Sequence, residues 1–130
     1  MDRRHTNIKR ITMGLITVIM LVSILSCTNR AEKLYEQGEY YYKTGLLDEA
    51  IIKFKATTQI EPKHSSAHHF LALAFMRKEW YDYALVEAEI TFDLKPTSEI
   101  YELVQLARSK AEEKEELRNR LLNNRLELPN

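Results

Sequence analysis

Hydrophobic and polar positions follow three different patterns along this chain. Residues 3–10 are basic and polar, and Ile11 to Ser26 is an almost unbroken apolar run, ITMGLITVIMLVSILS. Beyond residue 30 the apolar positions recur at helical spacing instead: Leu34, Tyr35, Tyr41 and Tyr42 around Gly38, then Leu47, Ala50, Ile51 and Phe54. Pro62 and Pro96 cannot continue a helix and push the residue before them out of the helical region. Gly45 is suited to end a helix in left-handed geometry. After Pro96, Thr97 or Ser98 is placed to cap a further helix with the stripe Ile100, Leu103, Val104 and Ala107. The last segment, AEEKEELRNRLLNNRLELPN, is highly charged and carries Leu117, Leu121, Leu122 and Leu126, with Glu116 and Arg120 spaced to pair. It predicts a solvated helical extension that frays near Asn123-Asn124, or a short partner-binding or self-associating helix.

The basic segment followed by an apolar run has the arrangement of a secretory signal. Its sixteen residues would span roughly 24 Å as a helix, short of a hydrocarbon core of ~30 Å. The chain's only cysteine, Cys27, stands directly after it. Ile24-Leu25-Ser26-Cys27 resembles the bacterial lipobox, in which an aliphatic and a small residue precede a cysteine that becomes lipidated and N-terminal. Leu25 departs from the smaller or β-branched residue usual there. The resemblance implies a signal peptide over 1–26, lipid on Cys27 and a short tether over 27–30. An uncleaved signal anchor and a cleaved soluble protein are the alternatives. Arg3-Arg4 is followed by His5-Thr6-Asn7, which does not suit twin-arginine export. Thr28 stands where Asp would favour inner-membrane retention, so the expected place is the cell envelope of a bacterium. In an envelope with two membranes it is the periplasmic face of the outer one.

The segment after Cys27 repeats at an interval of 34 residues: Leu34 and His68, Gly38 and Ala72, Tyr41 and Phe75, Ala50 and Ala84, Thr57 and Thr91, Ile60 and Leu94, Pro62 and Pro96. Small residues meeting across paired helices, aromatics beside them and a closing proline resemble the tetratricopeptide repeat (TPR). The first unit, 31–64, supplies Leu34, Gly38, Tyr41, Ala50, Phe54 and Pro62. The second, 65–96, supplies Leu71, Ala72, Phe75, Tyr81, Ala84 and Pro96, and departs at His68 and Ala88. The resemblance implies an all-α short solenoid of about two helix-turn-helix hairpins. A capping helix with a charged extension follows over 97–126, and a tail over 127–130.

Composition narrows the function. Nineteen basic and nineteen acidic side chains balance, but the first 26 residues hold four of the basic and only one of the acidic ones. What remains is mildly acidic, with no basic stripe for nucleic acid. A single cysteine excludes an intramolecular disulfide framework and a cysteine-based zinc cage. His64 and His68 share a helical face and His69 is adjacent, yet no acid or cysteine nearby in sequence completes a metal set. There is no glycine-rich phosphate loop, HExxH motif or nucleophile elbow, and the acid pairs Asp48-Glu49 and Glu112-Glu113 diverge on a helix. The expectation is no enzyme, no cofactor and no metal.

In the TPR family the first helices of each hairpin line a concave groove. By repeat offset that groove holds Tyr35, Glu39 and Tyr42 from the first unit and Ser66, His69, Phe70, Leu73, Met76 and Arg77 from the second. The family's carboxylate clamp needs Lys and Asn where this chain has Tyr35, Glu39 and Phe70. The groove is aromatic and aliphatic, which suits an apolar helix or extended peptide. The expected function is a membrane-anchored adaptor binding a protein partner. The alternative is a structural lipoprotein that self-associates through the groove and the C-terminal helix.

Overall fold

The computed structural model describes residues 29–126; the signal segment, Cys27 and the tail over 127–130 lie outside the described residues. All described regular structure is helical. Helix α1 covers 29–43, followed by α2 (Leu47–Ile60), α3 (Ser65–Arg77), α4 (Tyr81–Leu94) and α5 (Ser98–Leu126). Residues 29 and 30, which the sequence assigns to a tether, are already helical. None of the described helices is long and apolar enough to cross a membrane.

Helices α1–α2 and α3–α4 form two hairpins whose backbone bonds repeat residue for residue. The Leu46 amide donates to the Tyr41 carbonyl at 2.9 Å, and the Trp80 amide to Phe75 at 2.9 Å. Ala50 bonds back to Leu46, and Ala84 to Trp80, both at 3.0 Å. Each hairpin turns through one left-handed residue, Gly45 at φ 82° and Glu79 at φ 57°. The turn demands that conformation of both, although only glycine adopts it freely. At the far ends Thr57 and Thr91 are buried. Their hydroxyls donate to the carbonyls of Lys53 and Glu87, four residues back, at 3.0 and 2.7 Å. The inward threonine is thus satisfied within its own helix.

The main core joins Ala50, Ile51 and Phe54 of α2 to Ala67, Leu71, Ala74 and Phe75 of α3 and Ala84 of α4. A smaller cluster joins Ala72, Ala88 and Val104. Six of these side chains are alanines that let helix axes approach closely, so the core is thin and packing tolerances are tight. Gly38 shows the limit: a Cβ there would meet the Phe54 ring at 2.6 and 2.7 Å. Gly38, Ala50, Phe54, Leu71, Ala72, Phe75 and Ala84 are buried, Leu34, Tyr41 and Tyr81 are half-buried, and Pro62 and Pro96 sit in exposed turns.

Helix α5 begins as a third first-helix. Its buried Ile100, Val104 and Ala107 repeat Ala67, Leu71 and Ala74 at an offset of 33 and pack on α4. The Thr97 hydroxyl caps it, accepting from the Ile100 amide at 3.3 Å, as the His64 Nδ1 caps α3 by accepting from Ala67 at 3.1 Å. It then fails to turn. At the same offset the place of Trp80 falls to Glu113 and that of the fully buried Ala84 to Leu117. Glutamate cannot anchor the turn in the core, and leucine is too large for a close helix contact. The residues are strong helix formers, so the helix continues in one piece over 29 residues.

Candidate partner-binding groove

The first helices α1, α3 and α5 present one face that the second helices do not cover. Of the groove residues expected from sequence, Tyr35, Glu39, Tyr42, His69, Phe70, Leu73 and Met76 are half-buried, and Arg77 is exposed. The aromatic members form a continuous layer. The Phe70 ring stacks on Phe54 at 5.3 Å and meets Tyr42 edge-on at 5.3 Å. Tyr35 lies 5.8 Å from Phe54 and 4.8 Å from His64. The undersides of these rings are core and their outer faces are surface, so the groove has a rigid floor.

Polar groups are fixed on that floor. The Tyr35 hydroxyl donates to Glu39 at 3.0 Å, and Lys43 reaches the other Glu39 oxygen at 3.4 Å. Burial, reinforced by the Glu39 carboxylate, pushes the Tyr35 pKa up to about 12. The Arg77 guanidinium lies over the Tyr42 ring at 5.0 Å and donates to the Tyr42 carbonyl at 3.2 Å. That clamp closes α3 onto the end of α1 and engages the guanidinium.

At the opposite end the groove opens into a cleft of about 290 Å³ lined by Tyr35, Ser66, His69, Phe70, Lys95 and Glu99 among others. The His69 Nδ1 is buried there without a hydrogen-bond partner. Burial pulls the His69 pKa below its ordinary value, while Glu99 raises it and Lys95 lowers it. The neutral ring therefore faces the cleft and can accept or donate one bond to a polar group of an occupant.

The α5 contribution was not visible at the 34-residue period. The offset of 33 places Glu99, Glu102, Leu103 and Leu106 beside Ser66, His69, Phe70 and Leu73, and Leu106 is half exposed. The signal that finds them is the match of Ile100, Val104 and Ala107 to the inward positions of α3, one residue short of the main period.

The three histidines part company. His64 caps α3 and lies 3.7 Å from Glu32. His68 is buried, with Nδ1 at 2.6 Å from Glu87 and Nε2 at 3.1 Å from the Pro62 carbonyl. Both neighbours accept, so both bonds form only when both ring nitrogens carry protons. Among the described residues no group of three or more His, Cys, Asp or Glu is placed to hold a metal ion. A second cleft, of about 460 Å³, lies where α5 leaves the hairpins, lined by Lys55, Phe75, Trp80, Tyr83 and Lys114. Its cations are engaged: Lys55 lies 5.5 Å from the Phe75 ring, and Lys114 donates to the Glu79 carbonyl at 2.6 Å.

The sequence matches no protein-family model and no curated protein. Among solved structures the chain is similar to the first TPR domain of Spaghetti (RPAP3) bound to the HSP90 peptide SRMEEVD. The two share 25% identity over 68% of this chain and 72% of that one, with a TM-score of 0.59. The fold is a short TPR-like solenoid of two hairpins and a C-terminal helix.

Proposed function

We propose that this chain is a membrane-anchored scaffold of a bacterial cell envelope that holds a protein or peptide partner in its concave groove and catalyses no reaction. The observation that carries the groove is the aromatic layer of Tyr35, Tyr42 and Phe70, in which Tyr35 and Phe70 rest on Phe54 and Tyr42 packs edge-on against Phe70. Rigid aromatics of this kind supply most of the energy of an interface at small entropic loss. The peptide bound to the similar TPR domain supports a peptide-sized occupant. Along the aromatic part of the groove Arg77 is held by Tyr42 and Lys43 by Glu39. An apolar or aromatic helix or strand therefore suits this surface better than an acidic chain end.

The anchor rests on sequence: an apolar run of signal length ending at Ile24-Leu25-Ser26-Cys27. Metabolic labelling with a fatty acid tests it, with Cys27→Ser expected to abolish incorporation and persistent labelling sinking the assignment. For the groove the test is photo-crosslinking in cells from a probe at Leu73. A discrete adduct with another envelope protein supports the scaffold and identifies its partner. An adduct only with a second copy, or none, rejects the groove as a partner site.

A further inference from the structure

Helix α5 overhangs the hairpins. From Glu112 to Arg125 every residue is exposed, including Leu117, Leu121 and Leu122 at 55%, 61% and 52%. Fourteen residues at about 1.5 Å each make a bare rod of roughly 21 Å. An isolated helix of this length is marginal in water unless one face is covered. Leu117 and Leu121 are four apart and project along one stripe, which Leu106 continues into the groove. Charge is divided along the rod: Glu112, Glu113, Glu115 and Glu116 surround Lys114, whereas the stretch from Arg118 to Arg125 holds three arginines and no acid.

We infer that the overhang of α5 pairs antiparallel with the same segment of a second copy, with Leu117 of one chain beside Leu121 of the other. In that direction Glu113 is level with Arg125 of the other chain and Glu116 is two residues from the level of its Arg120, twice over by the two-fold symmetry, against one level Arg118–Arg120 approach on each side. A parallel pair instead stacks acid on acid and arginine on arginine. The existing ion pairs along the rod do not compete strongly. Lys110–Glu113 at 2.7 Å, Glu116–Arg120 at 3.2 Å and the Glu115–Arg118 pair are exposed at both partners, so their hold is weak. Two leucines per chain bury little area, so the pair is reversible and depends on concentration. Confinement on one surface raises the local concentration of chains that meet there. The contact uses only the overhang, so it leaves the hairpins' face of the groove uncovered and is independent of what that groove holds.

The test uses the full chain in detergent at large micelle excess, with Cys27→Ser removing its only thiol. Glu113→Cys and Asn124→Cys chains, tagged to differ in mass, are mixed and oxidised. Antiparallel pairing gives the mixed disulfide as the main product. Disulfides within each single variant overturn it in favour of a parallel pair, and no disulfide overturns self-pairing altogether. A charge test guards against chance collisions. Glu115→Arg with Glu116→Arg should lose the crosslink, and mixing with Arg118→Glu, Arg120→Glu chains should restore it. Unchanged crosslinking in the first variant also overturns the inference. All these positions are exposed and outside the core, and circular dichroism verifies that the helices persist.

Discussion

In the first hairpin Gly38 lies under the Phe54 ring; in the second, the same two positions are Ala72 and Ala88, both fully buried. One hairpin fills the space between its helices with a large residue over none, the other with two small ones. The difference continues around the repeat. Half-buried Leu34 is replaced by His68 with its ties to Glu87 and Pro62, Gly45 by the strained Glu79, and Tyr35 by His69. At these positions the first hairpin uses packing where the second uses polar side chains with hydrogen bonds, on the same backbone. The frame specifies pair sums and turn angles, and it leaves open which residue of a pair supplies the bulk.

The largest effect should come from the Gly38–Phe54 pair. Phe54→Ala should destabilise by about 3–5 kcal/mol through the cavity it leaves. Gly38→Ala alone should destabilise by about 1–3 kcal/mol through overpacking. The double variant copies the second hairpin, so its loss in urea denaturation should fall short of the sum by about 1 kcal/mol or more. Strict additivity would break the comparison. Next, His68→Leu, which installs the first hairpin's residue, should destabilise by about 1–3 kcal/mol because it strands Glu87 and the Pro62 carbonyl. If it stabilises, those hydrogen bonds are replaceable by packing.

The turns should separate with opposite signs. Nothing lies within 4 Å of a Cβ built on Gly45, so Gly45→Ala tests backbone conformation alone and should cost about 1 kcal/mol. Glu79→Gly should raise the thermal midpoint, gaining about 0.5–1 kcal/mol, since relief of the left-handed strain exceeds the added freedom of the unfolded chain. Smallest is a pH effect. Folding favours the neutral His69 ring, so the unfolded chain binds the proton more readily and stability falls as pH drops through about 6.5. His69→Gln should flatten that slope of the thermal midpoint. Tyr35, its counterpart in the first hairpin, carries no charge change in that window.

The 34-residue period was legible because packing fixes residue size at Ala50 and Ala84 and the turns fix the backbone angle at Pro62 and Pro96, and both are written in the sequence. The same period hid what obeys a different rule. Glu79 takes the place of Gly45 without looking like a turn residue, because the surrounding backbone bonds impose its angle. His68 reads as a departure because its partner Glu87 lies 19 residues away, brought close only by the hairpin. Helix α5 escaped as a groove wall because its inward residues repeat at 33. For the groove, spacing identified a face but not its depth. Nothing in the chain's pattern says that Tyr35 and Phe70 rest on Phe54 while Tyr42 packs against Phe70.

Helix α5 also has a mechanical meaning. Its first half is bolted to α4 through Ile100, Val104 and Ala107, its second half is free, and an unbroken hydrogen-bond ladder joins them. Such a rod is a lever: a pull at Arg125 is transmitted at short range to Lys114 and so to the Glu79 carbonyl, in the one turn already under strain. Load on the tail would be felt first at the second hairpin's bend, and from there at the first hairpin through Arg77 and Tyr42.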